Sequence, residues 1–310
     1  MSLPSVSVVI TTYQRRDALP AAIGAIAADP HPTEILVVVD GCDDGSYDLV
    51  RELAAGEPRV RPIWRENGGE GAARQTGVEA ATGDVVLLLD DDVVAGPGLA
   101  TGHARAHENR TGTVVLGYMP TACPAVRRRG DFPTVLYARE YEQACRRYEA
   151  DPGCVVTALW AGNMSLRRED ALRVGLNGQR RLGYHDDQEF GLRCARAGLT
   201  AVFDRSLAAR HTHSRDVDSF LRQARLSGLA RRHLAATYPD LVADADPTGT
   251  LPAPARLAVG VGAAPGVYPL AAAALRGGVL ATGRVGLFGA ETWLARTLRQ
   301  VELLRGYRGR

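Results

Sequence analysis

Through its first hundred residues the chain alternates short, nearly continuous apolar runs with stretches whose apolar positions recur every three or four residues. The apolar runs are Ser5–Ile10, Ile35–Val39, Val60–Trp64 and Val85–Leu89, rich in β-branched residues. Between them, Ala18–Ala28, Tyr47–Ala55 and Gly71–Ala81 carry the helical pattern. Strands that are apolar throughout suit a parallel sheet covered on both faces, because neither side of such a strand meets water. The pattern predicts a βαβ series and an α/β fold. Its sheet would be open, mostly parallel, Rossmann-like and flanked by helices, with ligands beyond the carboxyl ends of the strands. Asp40 follows the second strand and Asp90, Asp91 and Asp92 follow the fourth, so both acidic groups are expected in one crevice.

Beyond residue 110 the alternation loosens. "YMPTACPAVRRRGDFPT" (Tyr118–Thr134) has no periodicity, three prolines and three consecutive arginines. It reads either as a long surface loop that acts as a lid or binding loop, or as a disordered insertion. A helix is predicted over Val135–Tyr148 and a strand over Val155–Trp160. A short strand and helix follow in "NMSLRREDALRVG", then a helix over Asp186–Ala197, a strand at Ala201–Phe203 and a helix over Val217–Tyr238. The expected organisation is one domain over residues 1–240, its halves meeting near 110, and a helical extension over 241–310.

Composition changes this picture in only a few places. The chain has 310 residues and a net charge of +2, too small to argue for nucleic acid. All 37 basic residues are arginine, which weakens any claim that a given arginine was chosen for its fork geometry. The segment from Thr250 to Arg310 carries 8 arginines against 2 glutamates. Within it, Leu257–Leu275 has no charge, yet its Ala and Gly content and Pro265 and Pro269 make it a poor transmembrane candidate. A helical pair packed on the body or on a second subunit, giving a homodimer, is one reading. Peripheral docking on an anionic membrane surface is the other. Five scattered cysteines without a C-x-x-C pair read as reduced thiols rather than a disulfide framework or zinc site. The N-terminus enters a strand almost at once, so no signal peptide is expected and the location is read as cytoplasmic, with the inner membrane face as a variant.

The chemistry centres on "VVLLLDDDVV" (85–94). Adjacent carboxylates repel, and burying them unpaired costs several kcal/mol each, so water or a cation must compensate. Side chains at i and i+2 of an extended tip point the same way, which would turn Asp90 and Asp92 to a metal and Asp91 aside. Mg²⁺ or Mn²⁺ suits such a site, taking hard oxygen ligands with only a few from protein. The first strand ends in "ITTYQRRD", which lacks both the G-x-G-x-x-G of a dinucleotide site and the G-K-[ST] of a P-loop.

Several motifs in order resemble the family 2 glycosyltransferases, whose catalytic domain has the GT-A fold. They are "SVVITTYQR", "ILVVVDGCDDGS", "ENGGEGAARQTGVEAATGDVVLLLDDD", "WAGNMSLRRED" and "GYHDDQEFGLRCARAGL". The resemblance spans about residues 5–240. It implies a D-x-D pair in Asp90 and Asp92, a nucleotide-reading acid in Asp40, and Arg74 and Gly77 beside the diphosphate. It further implies a nucleotide-sugar site drawn from Thr11, Thr12, Tyr13, Arg15, Gly68, Asp91, Gly162, Asn163 and Asp186. Asp187 falls at the position of the general base, and His211, ahead of His213, at that of a third metal ligand. Trp160 is read as a sugar platform or as core. Arg222 and Arg225 share a helix face and are read as solvated, and Glu189 as a companion of the acidic motif.

The expected activity is metal-dependent transfer of a sugar from a nucleotide-sugar donor to an acceptor hydroxyl, with inversion and Mn²⁺ or Mg²⁺ as cofactor. A UDP-sugar is favoured, with GDP- and dTDP-sugars open and the acceptor unassigned. A retaining transferase of the same fold and a non-catalytic nucleotide-sugar binding module are the alternatives. A sugar-1-phosphate nucleotidyltransferase would need glycines that "TTYQRRD" lacks.

Overall fold

A computed structural model describes residues 2–178, 180–212, 216–243 and 246–309. Its first four strands are β1 (Val6–Thr12), β2 (Pro32–Asp40), β3 (Val60–Arg65) and β4 (Val85–Asp90). The helices α1 (Leu19–Ala27), α2 (Ser46–Gly56) and α3 (Glu70–Ala80) connect them. Next come β5 (Val93–Ala95), α4 (Leu99–Ala106), β6 (Thr113–Tyr118), α5 (Phe132–Ala150), β7 (Asn163–Arg167), α6 (Arg168–Val174), α7 (Asp186–Arg196) and β8 (Thr200–His211). The chain ends in α8 (Val217–Thr237), α9 (Ala253–Gly262), α10 (Tyr268–Arg284) and α11 (Phe288–Tyr307).

The strands form a mixed sheet in the order β3-β2-β1-β4-β7-β6-β8-β5. β1 pairs in parallel with both β2 and β4, so the connections reverse direction there and leave a crevice at the strand ends. β7 runs antiparallel to both of its neighbours, and β6 pairs in parallel with β8. The period-2 geometry of a strand explains why the apolar runs are continuous. Val8, Ile10, Val37, Val39, Leu87 and Leu89 pack into one core, and Val9, Leu36, Val38, Val86 and Leu88 into the core on the other face. Each such buried aliphatic side chain is worth about 2 kcal/mol.

Three expectations change. The apolar run Val155–Trp160 is not a strand: Pro152 and Gly153 open two short 3-10 turns, Pro152–Cys154 and Val156–Ala158. The Tyr148 hydroxyl donates to the Ala158 carbonyl there, so the run packs without a ladder. The strand expected at Ala201–Phe203 extends to His211, with an irregular register past Gly117. The Tyr118–Thr134 stretch is held at both ends. Thr121 bridges His211 and Ala122 N–H donates to the His211 carbonyl, while α5 begins at Phe132.

The chain divides into two compact units. The first comprises residues up to Ala122, Tyr141–Arg181 and Asp187–Thr212, and contains the sheet. The second comprises Cys123–Glu140, Leu182–Asp186 and the chain from residue 213. α8, read from sequence with the first 240 residues, belongs to this second unit, where Phe132, Leu136, Phe220, Val279 and Ala295 form a core. A second cluster joins Val259, Ala263, Val301 and Leu304. Among the described residues no helix is long and apolar enough to cross a membrane.

Candidate functional site

Parallel pairing aligns the ends of β2, β1 and β4, with Thr12 opposite Val39 and Thr11 opposite Asp90. The three aspartates at the end of β4 then meet arginine at every position. Arg74, buried on α3, donates to Asp90 Oδ1 at 2.7 Å and to Asp187 Oδ1 at 2.8 Å, and pairs with Glu70 at 2.5 Å. Arg15 donates to Asp91 at 3.0 Å and to Asp92 at 2.5 Å, and the Thr12 hydroxyl donates to Asp91 at 2.8 Å. Asp91, expected to turn aside from the other two, is buried against β1 under the Thr12 hydroxyl.

These pairs set the protonation of the site. Burial works against the Arg74 charge, but Glu70, Asp90 and Asp187 outweigh it and hold its pKa well above the usual value. Burial pushes Asp90 up, helped by the charges of Asp92 and Asp187 and opposed by Arg74. Burial also pushes Asp91 up to about 6, against the pull of Arg15 and Thr12.

Asp187 sits in the first turn of α7, and its second oxygen accepts the Ala161 N–H at 3.0 Å. The next residue, Gly162, has φ +130, and its carbonyl accepts the Asp90 N–H at 3.1 Å. A Cβ there would lie 2.7 Å from Asp90 Oδ2 and 2.8 Å from Met119 Sδ, so only glycine leaves that carboxylate oxygen its room. The loop before β7 thus ties the general-base candidate to the D-x-D tip through backbone as well as through Arg74.

β5 begins directly after Asp92 and pairs antiparallel with the end of β8, Val93 opposite His211. That pairing brings His211 Nε2 to 3.2 Å from Asp92 Oδ1, with both side chains buried. His213 lies outside the described residues. Among the described residues no three His, Cys, Asp or Glu side chains converge on one point, since Asp90 is turned to Arg74. Asp92 and His211 nevertheless form a two-ligand set of hard oxygen and imidazole nitrogen, and the space beside Asp90 Oδ2 is kept clear by Gly162. This set fits a divalent cation that takes its remaining ligands from phosphate and water.

Other expected residues have definite places. Asp40 is buried, its oxygens accepting the Gly68 and Gly69 N–H groups at 3.0 and 2.8 Å, with Arg65 at 3.1 Å. It therefore holds the glycine loop that opens α3, where Gly69 has φ +86. Gly77, expected beside the diphosphate, instead lets α3 lie against Val9 and Val38. Asn163, expected on the sugar, is fully buried, and its amide is spent inside the sheet. Its Nδ2 donates to the Leu207 carbonyl at 2.9 Å, and its Oδ1 faces His103 Nε2 at 3.0 Å. Trp160 is half-buried with its ring edge-on to Tyr141 at 5.4 Å. Asp186 accepts the Leu182 N–H at 2.9 Å, and Glu189 pairs with Arg193 at 2.9 Å. Tyr13 is exposed, and the residues that follow it, Gln14, Arg15, Arg16, Asp17 and Ala18, line an open pocket of about 460 Å³ together with Asp44.

Sequence reading missed a buried chain of polar groups. Asn163 Oδ1 must accept, so His103 Nε2 carries the proton and its Nδ1 accepts from the Ser165 hydroxyl at 2.7 Å. Ser165 Oγ in turn accepts from His107 Nε2 at 2.9 Å, which leaves His107 Nδ1 buried without a partner. The i, i+4 spacing of the two histidines on one face of α4 was the available signal.

A mixed sheet with an acid-tipped fourth strand facing a carboxylate on a later helix places the chain in the GT-A class of glycosyltransferase folds. The mannosyltransferase of Pyrobaculum calidifontis, in complex with GDP-Man and Mn²⁺, superposes with a TM-score of 0.62 at 19% identity over 99% of this chain and 88% of its own. TarS of S. aureus, in complex with UDP-GlcNAc, gives 0.53 at 17% identity over 96% and 92%. The chain belongs to glycosyl transferase family 2, whose model matches residues 7–173, more than half its length. An uncharacterised glycosyltransferase of Nostoc sp. is 39% identical over 94 residues, 30% of this chain and 29% of the relative. A glucosyl-dolichyl phosphate glucuronosyltransferase of Haloferax volcanii is 29% identical over 175 residues, 55% of each. The chain thus spans about a third to a half of the curated relatives it matches.

Proposed function

We propose that this chain transfers a sugar from a nucleoside-diphosphate sugar to an acceptor hydroxyl, with inversion at the anomeric carbon. The observation that carries the reading is the single buried guanidinium of Arg74, which joins Asp90 at the end of β4 to Asp187 on α7. It gathers a donor-side carboxylate and a candidate base into one site.

Asp187 is the general base. The acceptor hydroxyl has a high pKa and must lose its proton as it attacks, and a fixed carboxylate within hydrogen-bond reach can take it. Arg74 and the Ala161 N–H orient that carboxylate from two sides, leaving a further lone pair on each oxygen. A single carboxylate in the role of base is what a direct displacement requires. Asp92 and His211, with Asp90 nearby, are the residues that would hold Mn²⁺ or Mg²⁺, which when bound would neutralise charge building on the departing diphosphate. Arg15, whose side chain is 48% exposed, is placed to exchange its carboxylates for phosphate oxygens. Thr11 and the exposed Tyr13 lie at the end of β1 and would meet the nucleoside, while Thr12, buried between them, holds Asp91. The GDP-Man and UDP-GlcNAc held by the two structural neighbours support a nucleotide-sugar donor and leave its base open.

The test is Asp187→Asn. Turnover should fall by about 10²-fold or more while donor binding stays intact. Binding would be read as a thermal shift with UDP, GDP or dTDP in Mn²⁺ or in EDTA; a ligand at 100 times its Kd stabilises by about 2.7 kcal/mol. Loss of donor binding in the variant would place Asp187 in a structural role instead. Retention of anomeric configuration in the product would overturn the displacement.

A further inference from the structure

We infer that the turn between α10 and α11, together with the arginine segment Arg127–Arg129, forms a docking surface for an anionic lipid bilayer. The inference concerns the second unit alone and does not depend on the transferase reading.

Val285, Leu287 and Trp293 at this turn are 69%, 58% and 66% exposed, and Val126, next to the arginine segment, is 73% exposed. Isolated exposed apolar residues need no explanation, but these are drawn to one place by specific bonds. Arg127 donates to Glu291 at 3.0 Å and to the Thr292 hydroxyl at 2.7 Å, and its guanidinium lies 5.0 Å from the Phe288 ring centre. Arg129 reaches Gly283, where an added Cβ would lie 3.4 Å from its Cγ. The triple-arginine segment is therefore stapled to the α10–α11 turn.

Charge at the patch is mainly positive. Arg128, Arg129, Arg284 and Arg296 are exposed. Of the acids nearby, Glu291 is 1% exposed beneath Arg127, and the half-buried Asp131 carboxylate accepts the Arg128 N–H at 2.6 Å. Exposed apolar side chains that include a tryptophan, ringed by arginines, match a bilayer surface. The ring seats at the headgroup level, the aliphatics reach the acyl boundary and the cations meet lipid phosphates. A second copy of the same face would set eight arginines against one another, which argues against self-association.

Sedimentation of the full chain with sucrose-loaded vesicles tests this, comparing phosphatidylcholine alone with phosphatidylcholine and phosphatidylglycerol at about 2:1. Binding is expected only with the anionic lipid and should weaken in about 0.5 M salt, where the Debye length shrinks. Arg284→Ser combined with Arg296→Ser should lower partition roughly 25-fold, at about fivefold per arginine. Trp293→Ser should lower it several-fold and abolish a blue shift in tryptophan emission. All three positions are exposed, so the thermal melts should be unchanged. No binding to anionic vesicles, equal binding to both lipids, or a concentration-dependent dimer lost on Trp293→Ser would each overturn the inference.

Discussion

Replacing Arg74 by glutamine would leave Asp90 and Asp187 facing each other with no cation between them. Breaking a buried ion pair from one side costs about 3–5 kcal/mol, because the stranded carboxylate keeps its burial and loses its partner. Asp90 is already pushed up by burial, so acid offers relief: it takes up a proton more readily than an ordinary aspartate. The Arg74→Gln chain should therefore lose about 3 kcal/mol at pH 8 and clearly less at pH 5, read from urea unfolding at the two values. An equal loss at both would mean that packing of the Arg74 stem, not its charge, is what matters. The same logic answers the question posed by three consecutive aspartates. In the protein itself, arginines from β1's following loop and from α3 compensate them, and the sequence alone cannot show this, because Arg15 and Arg74 are remote from residue 90 along the chain and look like any of 37 arginines.

At the scale of the element, α3 depends on what happens just before it. Gly68 and Gly69 present two backbone N–H groups to the buried Asp40 carboxylate, and the left-handed φ of Gly69 aims them. Asp40→Asn replaces one of those acceptors with a donor, leaving an N–H unpaired in a buried place, at about 1–3 kcal/mol. A fall of that size in chemical unfolding, with donor affinity reduced alongside because the loop shifts, is the expected result. Reduced affinity with unchanged stability would restrict Asp40 to a ligand contact. The strands around this loop were legible because parallel, doubly covered strands need unbroken apolar runs. The 152–158 segment was not, because a short apolar run fits a strand or a packed turn equally until its hydrogen-bond partners are known. Gly162 and Asn163 show the same limit in neighbouring residues: one faces the carboxylates and the other the core, a difference set by the pairing of β7 with β4 rather than by residue type.

For the whole molecule, the buried histidines couple stability to acid. Burial pushes His103 and His107 down to about 4, and partial burial pushes His185, where Arg231 and Arg299 also oppose its charge, to about 3. A histidine held neutral in the fold gains protons only on unfolding between its folded value and the ordinary 6.5. Its contribution is therefore complete above about pH 6.5 and is lost as the pH falls toward 4. The shift at His103 or His107 corresponds to roughly 3 kcal/mol. Asp91, held up near 6, acts in the opposite sense, since burying its charge opposes folding and protonation relieves that cost. The absolute slope of stability with pH thus mixes both signs, and a paired comparison is needed. His107→Phe keeps the ring volume, removes the buried Nδ1 that has no partner, and loses the bond to Ser165. At pH 7 that loss should cost about 1 kcal/mol. On going from pH 7 to pH 5 the variant's Tm should fall less than that of the parent, so that the gap between them closes or reverses. Parallel Tm curves over that range would show that His107 is not held neutral by the fold, and the buried chain from Asn163 to His107 would lose its assigned proton order.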